Sequence, residues 1–409
     1  MPGTPQKIVI ISTGQPSTNP RMVKEADALF DAGYDVTVLY CFIISWATEK
    51  DRELLKHVKW RYHLIGGNDS DEKFRYFISR IKYRFYQKLY KIIGSTCLMT
   101  ERARARVFDS LLIHAKKIKA HCYIAHNLGA LPVACKAANF NNAKVVFDFE
   151  DYYRGETTNH GEISKVTYIE KRYVPLLDAI VTSSPLIAEK VEEDFPEQKE
   201  KIVTVMNCFP AAVQPAFRKR SSTDKLIKLF WFSQNVSFGR GIENIIAALK
   251  IINDPNFELT LAGRVDPLFK KSLKDDLNQL AGVVNFSGIL DPAVLPSFAA
   301  AFDIGLAVEP ARDINNNIAL SNKIFTYLLA GNAMILSETA MQKKFNDEYN
   351  VGVSYPTSDQ TAMVQALLLF KDFDFLETQR EKNYQLAKLQ LNWENESLKL
   401  TNSICKISF

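Results

Sequence analysis

A lysine at the start of a predicted helix is the first residue whose position suggests chemistry. The segment SNKIFTYLLAG opens with Ser321, Asn322 and Lys323 and ends at Gly331. A helix N-terminus carries unsatisfied N–H groups and a partial positive charge, so a cation there is unfavourable. An anion such as a diphosphate, bound between the lysine and the N–H groups, would remove that conflict. The alternative is a lysine exposed on one face of the helix.

An arginine between two glycines stands before a second predicted helix. Gly239, Arg240 and Gly241 follow the apolar strand FWFS, which we expect to end at Ser233. Backbone N–H groups at a helix start, together with one arginine, form an anion site. The segment matches neither the dinucleotide-binding pattern GxGxxG nor the P-loop pattern GxxxxGK[ST]. An ordinary Gly-Arg-Gly turn is the alternative.

Carboxylates supply the candidate proton donors and acceptors. Glu309 follows the predicted strand FDIGLAV, and the segment FDFEDYYRGE carries Asp148, Glu150, Asp151 and Glu156. Open parallel sheets bind their ligands beyond the carboxyl ends of the strands, where these residues are expected. The carboxylates of the second segment, Glu150 among them, are therefore the candidates for a general base.

The rhythm of strands and helices predicts what positions these residues. Continuous apolar runs such as KIVIIS and YDVTVLY indicate strands buried on both faces, and helical patterns alternate with them. The pattern breaks over residues 210–223 and then restarts, and residues 373–407 are expected to be helical. The sequence therefore predicts an α/β protein with two Rossmann-like domains that face each other across a cleft. We place them at residues 1–215 and 222–375, with C-terminal helices over 376–409.

Composition and charge narrow the function classes. The chain has 409 residues, of which 47% are hydrophobic, so two domains of about 200 residues are expected. The net charge of +5 suits phosphorylated ligands or an anionic membrane, and it is too small to indicate nucleic-acid binding. The six cysteines show no metal-type spacing and predict reduced, mostly buried thiols. Because no secretory signal or apolar membrane span is present, we expect a cytoplasmic protein.

One predicted helix combines basic and aromatic residues. In residues 72–93, EKFRYFISRIKYRFYQKLYKII, lysine and arginine alternate with phenylalanine, tyrosine and isoleucine at helical spacing. A basic face beside an aromatic face favours peripheral contact with an anionic membrane, here at its inner face. The alternative is a solvated helix whose long basic side chains cover its own domain.

The order of motifs resembles the glycosyltransferase group 1 family. The C-terminal half contains GRGIENI, LTLAGR, VNFSGIL, FDIGLAVEP and SNKIFTYLLAGNAMILS in that order. In the N-terminal half, NPRMVKEADALFDAGYDVTVL and YIAHNLGALPVACKAAN resemble the family's first βαβ unit and acceptor-side loop. Near the C-terminus, LNWENESLKL resembles the family's C-terminal helix, so the resemblance implies that the helices over 376–409 cross back to the first domain. The resemblance covers nearly the whole chain and implies the GT-B fold and a retaining, metal-independent transfer of a sugar from a nucleotide diphosphate.

The resemblance also implies roles for individual residues. Arg240 and Lys323 match the basic pair that neutralises the diphosphate, and His126 matches a histidine near the donor sugar and acceptor. Gly14 is expected close to the diphosphate, and the backbone of Gly288 and Ile289 is expected to contact the base. The remaining expected donor-binding residues are Ser233, Arg264, Glu309, Ser321, Asn322 and Thr326.

The sequence departs from the family at a pair of glutamates seven residues apart. Their positions hold Ile318 and Thr326 here. The second glutamate usually holds the ribose, so this contact must weaken or come from elsewhere, with Glu309 and an asparagine as candidates. Two Asp-x-Asp segments, at 69–71 and 372–374, match a metal-binding pattern of other glycosyltransferases, but neither follows a buried strand, and we expect no metal site.

The leading hypothesis is an enzyme without a cofactor that transfers a sugar from a UDP- or GDP-sugar to a glycan or lipid-linked acceptor in surface polysaccharide assembly. Two alternatives stay open. One is a GT-B protein that binds a sugar nucleotide without transfer, or serves as a partner subunit. The other is different chemistry on the same architecture, such as sugar-nucleotide epimerisation.

Overall fold

The computed structural model describes residues 5–94, 97–280 and 282–407. The chain divides into two compact units, the first of residues 1–206 with 397–409 and the second of residues 207–396. Each unit contains one parallel sheet with helices packed against it, as the apolar runs predict.

The first unit is built on a seven-stranded sheet in the order β3-β2-β1-β4-β5-β6-β7. Its strands are β1 (Lys7–Ser12), β2 (Asp35–Cys41), β3 (Arg61–Ile65), β4 (Cys122–His126), β5 (Lys144–Phe149), β6 (Ala179–Thr182) and β7 (Ile202–Thr204). Its helices are α1 (Pro20–Asp31), α2 (Ser45–Leu55), α3 (Lys73–Ile93), α4 (Cys97–Arg104), α5 (Phe108–Lys117), α6 (Leu131–Asn141), α7 (His160–Tyr173) and α8 (Pro185–Asp194).

The second unit repeats this plan with a six-stranded sheet in the order β10-β9-β8-β11-β12-β13. Its strands are β8 (Ile227–Val236), β9 (Phe257–Val265), β10 (Val284–Gly288), β11 (Ile304–Ala307), β12 (Ala333–Ser337) and β13 (Gly352–Tyr355). The helices that follow are α9 (Ile242–Ile252), α10 (Pro267–Ser272), α11 (Lys274–Gln279), α12 (Leu295–Ala299), α13 (Ile314–Ile318), α14 (Asn322–Ala330), α15 (Ala340–Tyr349), α16 (Gln360–Leu369) and α17 (Phe373–Leu389). The last helix, α18 (Trp393–Lys406), begins in this unit, and its residues from Ser397 onward belong to the first unit. Short 3-10 helices lie at Pro16–Thr18, Tyr153–Gly155, Val174–Leu176, Pro196–Lys201 and Ala211–Val213.

The strand order identifies where ligands bind in such sheets. All neighbouring strands of both sheets are parallel, and the chain reverses its direction of winding between β1 and β4 and again between β8 and β11. At such a switch point the loops after the two strands diverge and leave a crevice at the carboxyl edge. We therefore expect ligand sites in the loops after β1, β4, β8 and β11.

Several sequence predictions are confirmed here and one is wrong. The two parallel α/β halves and the helices after residue 373 are as predicted. Strand β8 does not end at Ser233 but continues to Val236, because pairing with β9 resumes after a register shift and joins Asn235 to Arg264. Gly263 permits this irregularity, since a Cβ there would lie 2.3 Å from the Ser233 carbonyl oxygen.

Membrane-spanning and cysteine features complete the fold. None of the helices in the described ranges is long and apolar enough to cross a membrane. Among the described cysteines, Cys41, Cys122, Cys135 and Cys208 are buried free thiols and Cys405 is an exposed one. The side chain of Cys97 lies outside the described residues.

Candidate functional site

The N-terminus of α14 lies in the second unit, in the chain segment that follows β11. Ser321 caps the helix, because its hydroxyl accepts a hydrogen bond from the Lys323 N–H at 3.4 Å. Asn322 is exposed, whereas every later residue of the helix is buried, and Lys323 itself is only 9% exposed. The helix ends where Gly331 adopts a left-handed conformation with φ of 70°. A lysine is thus held near the positive end of a buried helix, as the sequence predicts.

Glu309 neutralises this lysine. The Lys323 ammonium lies 2.5 Å from Glu309 Oε1, to which the Ser321 hydroxyl also donates a hydrogen bond at 3.0 Å. The ammonium also lies 5.5 Å from the centre of the Trp231 ring, a favourable distance for a cation–π contact. Burial raises the pKa of Glu309, but Lys323 and Ser321 outweigh it and leave this pKa below its usual value. Glu309 therefore carries a full negative charge beside the helix start at neutral pH.

Arg240 supplies a second positive charge near the same carboxylate. It lies in the turn between β8 and α9, where Gly239 and Gly241 have φ values of 67° and 80°. Side chains rarely adopt these angles, and a Cβ on Gly241 would also come within 3.2 Å of Val308. Arg240 is half-buried, lowers the pKa of Glu309, and makes no ion pair within the described residues. One carboxylate is therefore shared electrostatically by two cations.

The other predicted donor-binding residues of the second unit are more dispersed. Ser233 and Arg264 lie in β8 and β9, and Gly288 ends β10 with φ of 75°, followed by the exposed Ile289. Within the described residues, no hydrogen bond or ion pair joins these four to the Lys323 ammonium. The structure thus brings together Glu309, Ser321, Lys323 and Arg240, and it places the remaining residues on the strands to one side.

The position at which the family has its second glutamate is closed to solvent. Thr326 is 1% exposed, and its hydroxyl donates to the Asn322 carbonyl oxygen at 3.2 Å. Asn322 accepts a hydrogen bond from the Asn207 amide through its own side-chain oxygen at 2.9 Å. The threonine hydroxyl thus already has a hydrogen-bond partner within its own helix.

A buried cluster of four charged side chains, one of them His126, lies in the first unit. His126 ends β4, pairs in register with Asp148 of β5, and faces Arg21 and Glu25 on α1. Its ring nitrogens lie 3.1 Å from a Glu25 oxygen and 3.2 Å from an Asp148 oxygen. Arg21 donates two hydrogen bonds to Asp148, at 2.7 and 3.0 Å, and one to the Val205 carbonyl at 2.7 Å. All four charged side chains are essentially inaccessible to water.

The carboxylates of this cluster keep His126 protonated. Burial disfavours the charged ring, but Glu25 and Asp148 outweigh it and raise the pKa of His126 to about 10. Burial likewise opposes the charge on Asp148, but Arg21 and His126 lower its pKa to about 2. Two cations and two anions thus balance inside the unit. In this charged state the imidazole, which is 1% exposed, has no lone pair with which to accept a proton.

The same three residues, Glu25, His126 and Asp148, are the group within the described chain whose atoms lie close enough to hold a metal ion. Arg21 already occupies Asp148 with two hydrogen bonds and lies 3.3 Å from Glu25. A divalent cation would meet this guanidinium and a protonated ring. The cluster therefore fits an internal ion-pair network better than a metal site.

Glu150 has the protonation behaviour of a proton-transfer group. It follows β5 directly and is half-buried. Burial, together with the charges of Asp148 and Asp151, raises the pKa of Glu150 to about 7, against the opposing effect of Arg21 and His126. A carboxyl group that titrates near neutral pH can both accept and release a proton. Of the other two predicted acids, Asp151 is half-buried and Glu156 is exposed.

Gly14 lies in the loop after β1, at the switch point of the first sheet. Its N–H donates to the Ser12 hydroxyl at 3.0 Å, and its carbonyl accepts from the Cys41 N–H at 3.2 Å. A Cβ at this position would stay at least 3.5 Å from its neighbours, so sterics alone do not require glycine here. The sequence interpretation missed Arg21 and Glu25, although two charges four residues apart on the inner face of an amphipathic helix are a usable signal.

Comparison with known proteins supports the architecture. No family model and no curated protein matches the sequence. Solved structures do match. HepE of Anabaena in complex with UDP has 12% identity and a TM-score of 0.70 over 98% of this chain and 100% of that one. A glycosyltransferase from Rickettsia africae has 13% identity and a TM-score of 0.69 over 98% of each chain. The sucrose-phosphate synthase of Thermosynechococcus elongatus has 14% identity and a TM-score of 0.70 over 98% of this chain and 99% of that one.

These structural neighbours are glycosyltransferases of the GT-B fold, and the present chain shares that fold across nearly its whole length. The predicted fold class is therefore confirmed. At such low identities the likeness establishes the fold, and the reaction has to be derived from the site.

Proposed function

We propose that this protein transfers a sugar from a nucleotide-diphosphate donor, a UDP- or GDP-sugar, to a glycan or lipid-linked acceptor. The observation that carries the proposal is the buried Lys323 at the N-terminus of α14, with Glu309 against it and Arg240 nearby. A buried cation at the positive end of a helix is electrostatically unfavourable, and an anionic ligand bound there would compensate it. The UDP and UDP-glucose bound by HepE of Anabaena favour a nucleoside diphosphate as that anion.

Charge compensation is the proposed basis of catalysis. As the bond between sugar and diphosphate breaks, negative charge develops on the departing phosphate oxygens. Lys323, Arg240 and the N–H groups at the start of α14 would stabilise that charge without a metal ion. Each charge-assisted hydrogen bond contributes about 1.5–3 kcal/mol. We further propose that the sugar is transferred with retention of its anomeric configuration, as the motif order implies.

Glu150 is the proposed proton-transfer group and His126 a positioning residue. With its pKa of about 7, Glu150 is suited to accept a proton from an acceptor hydroxyl near neutral pH. His126 does not contact a ligand in this proposal. Its charge holds Asp148 and Glu25 in place and contributes to the local field at Glu150.

Helix α3 suggests where the acceptor binds. Phe74, Phe77, Ile81 and Phe85 recur at helical spacing, and all four are exposed, Phe74 by 75%. No residue of α3, which is described throughout, is fully buried. A large exposed apolar face beside lysine and arginine side chains favours peripheral contact with an anionic membrane over a solvated helix. We therefore propose action at the inner face of the membrane, in surface polysaccharide assembly.

Donor binding tests the proposal directly. Thermal-shift measurements with UDP- and GDP-sugars should show stabilisation by one nucleotide class, and slow hydrolysis of that donor would support transfer. Arg240→Ala leaves the Lys323–Glu309 pair intact and should weaken donor binding roughly tenfold to a hundredfold, as should Lys323→Ala. Lys343→Ala removes an exposed lysine of α15 and serves as the control. Unchanged donor affinity in both site variants would refute the phosphate roles.

A second candidate function is binding of a sugar nucleotide without transfer. Thr326 favours it, because a buried threonine with a satisfied hydroxyl stands where a ribose-binding glutamate is expected. A donor that stabilises the protein but shows neither hydrolysis nor transfer to any glycan or lipid acceptor would support this candidate.

A further inference from the structure

A cavity of about 560 Å³ opens at the switch point of the first sheet. It lies beyond the carboxyl ends of β1, β2 and β4, and the helix α3 and the segment after α4 form its other walls. Its lining includes Tyr76, Tyr83 and Asn127 together with four arginines. The switch point is where this fold class binds ligands, so the cavity lies where a ligand is expected.

The charge of this cavity is entirely positive. Arg80, Arg84, Arg104 and Arg106 line it, and none of the described lining residues carries a carboxylate. Arg80 and Arg84 form no ion pair within the described part of the chain. Arg104 approaches Glu162 only at 3.9 Å, the outer limit of an ion pair. Four guanidinium groups thus converge on one space with little compensation.

Internal contacts hold part of this cluster in place. Arg106 donates to the Phe42 carbonyl at 2.8 Å and to the Ser79 hydroxyl. The Tyr76 ring lies 4.9 Å from the Arg106 guanidinium and 5.5 Å from that of Arg80. Burial and the charge of Arg80 lower the pKa of Arg106. The like charges therefore repel each other in the unliganded protein, and an anion would relieve this repulsion.

Polar groups at the floor of the cavity add to the same chemistry. Asn127 directly follows β4 with φ of 71°, a left-handed conformation that is uncommon for any residue except glycine. Its side-chain oxygen accepts from the Ser12 hydroxyl at 3.1 Å, which leaves its amide N–H groups able to donate. The Tyr83 hydroxyl accepts from Gln87 at 2.7 Å and keeps its own proton for donation.

We propose that this arginine cavity binds the phosphate or diphosphate group of the acceptor. Guanidinium groups bind phosphate oxygens in pairs, and several of them match the multiple charges of a diphosphate. Four of the lining residues, Tyr76, Arg80, Tyr83 and Arg84, lie on α3, which also carries the exposed row from Phe74 to Phe85. An acceptor phosphate attached to a lipid would satisfy both features at once. That the bound phosphate belongs to the acceptor rests on the proposed transferase function, whereas binding of an anion in the cavity does not.

Titration calorimetry with inorganic pyrophosphate tests the cavity. We expect the double variant Arg80→Gln with Arg84→Gln to bind pyrophosphate about tenfold or more weakly than the wild-type protein at this site. The matched control is Lys82→Gln with Lys91→Gln, which removes the same charge from the same helix outside the cavity. Wild-type affinity in the cavity variant, or an equal loss in the control, would overturn the proposal.

Two further measurements identify the source of the phosphate and separate this proposal from the transferase function. The first measures co-sedimentation with phosphatidylcholine vesicles that contain phosphatidic acid. If the cavity variant and Phe77→Ser both lose this co-sedimentation, the result would support a lipid-borne phosphate. Binding of glycerol phosphate that Phe77→Ser leaves unchanged would support a soluble one. The cavity variant should keep the stabilisation by UDP, and Arg240→Ala should keep the pyrophosphate binding of the cavity. If UDP fails to bind the wild-type protein, the transferase proposal fails while the anion site stands.

Discussion

Replacing Glu309 with glutamine tests how the buried Lys323 is stabilised. Glu309→Gln keeps the shape of the side chain and lets the Ser321 hydroxyl keep an acceptor, but it removes the negative charge 2.5 Å from the lysine ammonium. Breaking a buried ion pair costs about 3–5 kcal/mol because one charge is left uncompensated. The Lys323 side chain is 11% exposed and that of Glu309 is 12% exposed, so water partly compensates the remaining charge. We therefore expect a loss of about 2–4 kcal/mol in the free energy of unfolding.

Thermal unfolding in the absence of nucleotide measures this loss. For a unit of this size, each kcal/mol lowers the midpoint temperature by about 2–4 °C, so we expect a drop of roughly 4–16 °C. Glu338→Gln is the control, because its partner Lys343 is exposed and their contact is 3.6 Å. An exposed pair of this kind contributes about 0–1 kcal/mol. The pH dependence of the stability of the wild-type protein should show the same contribution of Glu309. Glu309 has a lowered pKa, so its contribution is present above the usual glutamate pKa and is lost as the pH falls through the lowered value.

The nucleotide supplies the second half of this test. If a diphosphate binds where we propose, it replaces the missing carboxylate, so UDP should stabilise Glu309→Gln by more than it stabilises the wild-type protein. A variant that unfolds like the wild-type protein would refute the assignment of Glu309 as the compensating charge. A destabilised variant whose loss UDP does not reduce would refute the diphosphate site while leaving the ion pair intact.

Three other perturbations test the remaining features. His126→Gln should lower the free energy of unfolding by about 3–5 kcal/mol in chemical denaturation. Because the pKa of His126 is raised to about 10, its contribution to the stability of the wild-type protein is complete below the ordinary histidine pKa and should be lost as the pH rises towards 10. Glu150→Gln should remove the limb near pH 7 from the pH–rate profile of transfer, and a limb that persists would exclude Glu150 as the base. Gly263→Ala should destabilise the protein by about 2 kcal/mol or more in thermal unfolding, since its Cβ would lie 2.3 Å from the Ser233 carbonyl oxygen, whereas Gly282→Ala meets no atom within 4 Å and reports the cost of the positive φ alone.

The fold was largely predictable because both sheets are parallel and buried. A strand covered on both faces needs a continuous apolar run, and KIVIIS and YDVTVLY supply it at β1 and β2. The prediction failed at the end of β8, where polar residues follow Ser233 and nevertheless continue the strand to Val236. Pairing with β9 across the irregularity at Gly263 extends the strand there, and such long-range pairing leaves no periodic signal in the local sequence.

The candidate site was predictable only in part. The position of Lys323 conflicts with the helix dipole, and from this local conflict the sequence predicts a bound anion such as a diphosphate. In the unliganded protein the compensating group is Glu309, fourteen residues earlier; the sequence interpretation offered this residue as a ribose contact instead. The distinction depends on the three-dimensional approach of two side chains, which spacing does not determine. The charge state of His126 likewise depends on Glu25 and Asp148, which belong to separate elements.

The arginine cavity shows why an anion site assembled from two segments escapes a search for motifs. Arg104 ends α4 and Arg106 follows it, whereas Arg80 and Arg84 lie one helical turn apart on α3. The sequence pattern of α3 predicts a helix that contacts a membrane or, alternatively, a solvated helix, and both predictions place its arginines on an outer surface. The fold instead directs some of them toward the end of β4, where Asn127 adopts its left-handed conformation. The same helix thereby combines an exposed apolar face with cations that line the cavity. This combination is what a lipid-linked phosphate requires, because its apolar and anionic parts are joined by covalent bonds and must be bound side by side.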